Sequence, residues 1–205
     1  MIHMTVLEQP YQARVHDMFW FQELRSAIAF LQQGGTLEEL KEHSRKENFF
    51  NASSTSRATG MLQVLGRRLR AVDAAFCTFF QASPLETQKL LALTLVLLTD
   101  HTFYRVMDDC WREKLIVGDT ALYNRDILGV LRNIQEEDEK AASWTDASLK
   151  KIRANFKAIL RDAGLITGNK EPYQMQKPLC SPALHEFFQQ EGLGTIEKIL
   201  TGERP

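Results

Sequence analysis

The stretch WTDASLKKIRANFKAILRDAGLIT, residues 144–167, decides the fold class of this chain. Thr145 offers a hydroxyl to cap a helix, Gly164 follows the last turn, and the spacing predicts a helix over 146–163. On a helical wheel Leu149, Ile152, Phe156, Ile159, Leu160 and Ala163 share one face. Lys150, Arg153, Lys157 and Arg161 form a neighbouring stripe, and Lys151 lies elsewhere. At ~1.5 Å rise per residue the stripe is about 16 Å long. Its i,i+4 relations, 153 to 157 and 157 to 161, bring like charges together, whereas a solvated face often alternates them. Phosphates on one DNA strand repeat every ~3.4 Å of axis, so a stripe of this length can meet several. The competing reading is a solvated helix face with ordinary cations.

Charge segregates a second time upstream. Residues 41–70 hold Lys41, Arg45, Lys46, Arg57, Arg67, Arg68 and Arg70 against Glu42 and Glu47, a net +5. Residues 145–161 carry a net +4. The whole chain is −1, which leaves −10 on the remaining residues. A near-neutral total thus hides two basic segments, the electrostatic footprint expected of a nucleic-acid binder. Ser54, Thr55, Ser56 and Arg57 open the helix that carries the first segment. The free backbone N–H groups and hydroxyls of Ser54, Thr55 and Ser56 can hold a phosphate, although a plain helix cap needs the same residues.

The rest of the chain reads as helix nearly throughout. Residues 19–33 end at Gly34-Gly35, and Thr36 then opens a capping box with Glu39, starting a helix over 37–46. A further helix runs from Ser53 or Ser54 to about Val72, with Ala58, Leu62, Leu65, Leu69 and Val72 at helical spacing. Helix, helix, polar connection and helix are compatible with a helix-turn-helix. Asp73 caps a short helix, and the Ser83-Pro84 start leads into the apolar run Leu90–Leu98. Helices follow at roughly 101–116 and 121–137, and Ser181-Pro182 opens one more. A small β-wing is expected near 165–180, where Gly, Asn and Pro flank short apolar pieces. The expected fold class is all-α, in three regions: 1–72 with a helix-turn-helix-like element, a central helical core at 73–140, and a winged-helix-like region at 141–205.

Bulk properties narrow the function classes. A chain of 205 residues with 44% hydrophobic and 25% charged content buries a core without staples. Cys77, Cys110 and Cys180 are far apart and form no CxxC, which predicts reduced thiols in a cytoplasmic protein. The start MIHMTVLEQP lacks the basic and apolar regions of a signal peptide. Leu90–Leu98 is too short to span a bilayer, which takes ~20 residues, so no membrane partner is expected. The common phosphate-loop, dinucleotide and serine-hydrolase signatures do not occur. His3, His16, His43, His101 and His185 are dispersed without metal spacing, and adjacent Asp108 and Asp109 diverge on a helix. No enzyme, cofactor or metal is expected.

The order of FQELRSAIAFLQQG, TLEEL, ENFFNASSTSRATGMLQVLGRRLRAV and the Trp-led opening stretch resembles the BrxA family, the small core component of BREX phage-defence systems. The similarity covers roughly residues 17–168, with a weaker echo in the tail. It implies an all-α protein with helix-turn-helix elements beside a basic surface, binding double-stranded DNA without catalysis. It also implies work alongside the methyltransferase and ATPases of the same system. The positions it points to are Ser54–Arg57, Arg67, Arg68 and Arg70 in the first element, and Lys150, Arg153, Lys157 and Arg161 in the second. The rivals are a helical scaffold that docks an acidic partner, and an RNA binder. The RNA reading is weakened because Phe156 faces the core, leaving few exposed aromatics to stack bases.

Overall fold

The computed structural model describes Ile2 and residues 5–204; His3, named above, lies outside them. The chain divides into two compact units, Trp20–Leu95 and Met1–Phe19 with Val96–Pro205. The predominantly helical class is confirmed, with one small sheet.

The first unit holds α1 (Phe21–Gln32), α2 (Leu37–Lys46), α3 (Thr55–Arg70), α4 (Ala74–Ala82) and most of α5 (Leu85–Thr99). Helix α1 starts two residues later than the pattern suggests, because Trp20 sits in the left-handed region (φ 46°, ψ 51°) and cannot continue a right-handed turn. The capping box of α2 is complete. The Thr36 hydroxyl accepts from the Glu39 N–H at 3.1 Å, and the Glu39 carboxylate accepts from the Thr36 N–H at 2.8 Å. That backbone hydrogen bond, joined by the Thr36 hydroxyl, holds the Glu39 carboxyl below its usual range. Ser54 caps α3 by accepting from the Arg57 N–H at 3.2 Å, and Asp73 caps α4 by accepting from Phe76 at 3.1 Å. Helices α2 and α3 pack together, as do α1 and α4.

Gly60, inside α3, has an ordinary helical backbone, and a Cβ there would meet nothing within 4 Å. Gly60→Ala is therefore expected to stabilise the protein by about 0.5–1 kcal/mol, because alanine loses less backbone entropy on folding. A thermal midpoint that fails to rise would show that α3 needs the glycine for packing.

The second unit holds α6 (His101–Ile116), α7 (Asn124–Glu137), α8 (Asp146–Asp162), α9 (Pro182–Glu191) and α10 (Gly194–Thr201). Helix α6 widens into a π turn at Met107–Arg112, which turns Met107, Cys110 and Trp111 inward. The expected wing is present as β2 (Ile166–Thr167) and β3 (Tyr173–Met175), antiparallel with Ile166 opposite Met175. A further strand, β1 (Ala121–Leu122), pairs with the other edge of β3. Residues 121–122 read as the start of a helix because two residues cannot show alternation. Helix α10 escaped the pattern for want of a polar cap, since Leu193 precedes it and gives no side-chain hydrogen bond.

No single helix among the described residues is long and apolar enough to cross a membrane. The run Leu90–Leu98 is buried within α5. The three cysteines are free thiols. Burial pushes Cys77 and Cys180 up to about 11 and Cys110 up to about 12, from an ordinary 9.0. Their folded values lie above the unfolded one, so this stabilisation is complete below pH 9 and fades as pH rises toward 11–12. Folded protein at pH 8 is expected to protect the buried Cys77 and Cys110 from iodoacetamide, with both reacting only in denaturant. Rapid labelling of Cys110 in folded protein would contradict the buried placement.

Candidate nucleic-acid interface

Thr145 caps α8 by accepting from the Ser148 N–H at 3.2 Å. Leu149, Ile152, Phe156, Ile159 and Leu160 are all buried, and Phe156 meets Phe103 edge-on at 4.9 Å between ring centres. Burying each such side chain contributes about 1.5–3 kcal/mol, which fixes the rotation of the helix about its axis. Asn155 is buried on the same side and ties down the segment before α1. Its amide donates to the carbonyls of Arg14 at 2.9 Å and Asp17 at 3.3 Å.

With that rotation set, Lys150 and Arg161 are exposed, and Arg153 and Lys157 are half-buried. Arg161 donates to the Gly168 carbonyl at 3.2 Å. Lys157 donates to the Asn124 side-chain oxygen at 2.6 Å and to the Tyr173 hydroxyl at 3.0 Å, with its ammonium 4.7 Å from the Tyr173 ring centre. It therefore fastens β3 and the start of α7 onto α8, a role that sequence reasoning missed. Nothing in the sequence marks Asn124 or Tyr173 as its partners, which lie 33 and 16 residues away.

Among the described residues, no carboxylate pairs with any of these four cations. Three other cations of the same unit, Arg105, Arg112 and Lys114, are treated differently. Arg105 pairs with Asp109 at 2.8 Å and Glu137 at 3.1 Å, Arg112 with Asp108 at 2.7 Å, and Lys114 with Asp119 at 2.7 Å and Asp126 at 3.0 Å. The acids of this unit thus pair with Arg105, Arg112 and Lys114, whereas the stripe on α8 makes no ion pair among the described residues.

In the first unit, Ser54, Thr55, Ser56 and Arg57 are exposed at the N-terminus of α3. Arg70 is exposed and lies back over Gly66, and Arg67 is half-buried. Arg68 is a correction to the expected interface. It is 1% exposed, because it shares the inward face with Met61, Leu65 and Leu69 at spacings of three and four residues. The run RRLR looks uniformly basic in sequence, but the helix turns one of its arginines inside.

The side chains weighed as catalytic candidates are engaged elsewhere. Asp108 and Asp109 lie in the ion pairs just described, and burial raises the Asp108 carboxyl even with Arg112 opposing it. His101 stacks on Tyr11 at 4.1 Å, and its Nδ1 lies 2.7 Å from the Gln9 carbonyl oxygen. Among the described residues no three His, Cys, Asp or Glu side chains gather where they could hold a metal ion.

The BrxA family model matches residues 9–192. The chain belongs to the BrxA family. It is 28% identical to the BREX protein BrxA of Bacillus cereus (strain H3081.97) over 199 residues, covering 97% of this chain and all of that protein. The fold recurs in the crystal structure of an uncharacterized protein from Magnetospirillum magneticum. That likeness has a TM-score of 0.80 at 14% identity and covers 95% of this chain and all of the other. The matched span includes both basic elements of this BrxA-family chain, α3 and α8.

Proposed function

We propose that this BrxA-family chain is a cytoplasmic, non-enzymatic component of a BREX phage-defence system that binds double-stranded DNA through α3 and α8. One observation carries the reading. Lys150, Arg153, Lys157 and Arg161 form one stripe without acidic ion-pair partners among the described residues, whereas Arg105, Arg112 and Lys114 of the same unit are each paired. Like charges held together without compensation favour an external polyanion. The α8 contacts are to phosphates, which position the protein without reading sequence. The family relationship supports association with other BREX components, a methyltransferase and ATPases among them.

The test is a salt-titrated binding measurement with duplex DNA, single-stranded DNA and RNA of matched length. Duplex binding with a Kd of about 1–100 μM at physiological salt, weakening steeply as salt rises, is the expected result. Equal or tighter binding of RNA would transfer the surface to RNA. Absence of duplex binding at low salt, with capture of an acidic BREX protein, would replace the reading by a protein-docking scaffold.

A further inference from the structure

Helix α3 differs from α8 in what it offers a duplex. Its 16 residues contain neither Asp nor Glu. On its axis Ser56, Thr59, Gly60, Gln63, Arg67 and Arg70 fall within a sector about 100° wide, opposite the buried Met61, Leu65 and Leu69. At ~1.5 Å per residue the sector is about 21 Å long. Gln63 lies at its centre, exposed, and its amide makes no hydrogen bond among the described residues. A neutral amide releases no counterions, so it is a poor choice for a surface that only grips phosphates. It is well matched to an adenine edge, to which it donates one hydrogen bond and from which it accepts another. Gly60 lies beside it on the same face and presents no side chain, so nothing holds the helix away from the floor of a groove. Cations follow this neutral centre on the same face, Arg67 and Arg70 one and two turns toward the C-terminus.

We infer that α3 is a sequence-reading helix that lies in the major groove of the duplex, with Gln63 specifying adenine and Gly60 permitting the close approach. This rests on the duplex-binding reading above and extends it from phosphate grip to base recognition. The major groove, about 12 Å wide, admits a helix with small side chains on its leading face. Sequence preference then comes from the Trp20–Leu95 unit, while the stripe on α8 supplies affinity that ignores sequence.

The experiment is selection of duplexes from a randomised pool by the full-length protein, followed by salt-titrated binding to the selected duplex. The wild type is expected to enrich adenine at one position, with a loss of about tenfold when that base pair is changed. Gln63→Ala should abolish the preference at that position and leave the salt slope unchanged, because no charge is lost. Gln63→Arg should move the preference to guanine. Gly60→Leu should keep the raised thermal midpoint expected of Gly60→Ala while weakening binding of the selected duplex. A wild type that binds duplex with a steep salt slope but enriches no motif overturns the inference and leaves the duplex reading standing. So does a Gln63→Ala variant that enriches the same motif. A wild type that binds no duplex at low salt overturns both.

Discussion

The triple variant Lys150→Gln, Arg153→Gln, Arg161→Gln is expected to bind duplex DNA about two orders of magnitude more weakly at about 0.15 M salt, with the slope of log K against log salt flatter by about 2.7. Each neutralised phosphate contributes about −0.9 to that slope on duplex DNA, and three contacts are removed. Glutamine is a good helix former, and Lys150 and Arg161 are exposed, so α8 should keep its place. Lys157 is left intact on purpose. Its ammonium holds Asn124 and Tyr173, and losing it would confuse DNA affinity with the seating of β3. Circular dichroism and thermal melting confirm that the variant is folded. If its affinity and slope match wild type, the stripe is not the DNA surface. The cations of α3, Arg57, Arg67 and Arg70, then become the only basic contacts in the proposal.

The second large effect is on stability. Trp111→Ala should destabilise the protein by about 3–5 kcal/mol, measured by denaturant unfolding. The indole is 1% exposed and donates through Nε1 to the Leu200 carbonyl at 3.2 Å, so it joins the π turn of α6 to α10. Removing it leaves a cavity and withdraws the hydrogen bond to that carbonyl. The same contact is tight elsewhere, since a Cβ on Gly202 would lie 2.3 Å from the Cβ of Leu115. Trp111→Phe retains most of the volume and loses the donor, so it separates packing from hydrogen bonding. A loss below about 1 kcal/mol for Trp111→Ala would mean that α10 contributes little to the cooperative unit.

Most helices were legible because their signals are local. Thr36 with Glu39, Ser54, Asp73 and Thr145 each act within one turn of themselves, and each caps a helix as the sequence suggests. The six apolar positions of 149–163 are likewise buried together. The elements that escaped notice depend on distant partners. Strand β1 exists only because β3 lies beside it, with Leu122 opposite Tyr173, and α10 is held by the indole of Trp111 rather than by a cap of its own.

The basic surface divides along the same line. Composition and helical period by themselves gathered the cations of 150–161 into one stripe and set it beside a buried face. They also fixed the all-α class and the position of the wing. Only the tertiary structure decided which charges are available. It withdrew Arg68 into the core, engaged Lys157 with Tyr173 and Asn124, and paired Arg105, Arg112 and Lys114 with acids. The physical reason is that helical periodicity follows from bonds three and four residues apart, whereas the state of a charge depends on what packs against it, and that neighbour can come from anywhere in the chain.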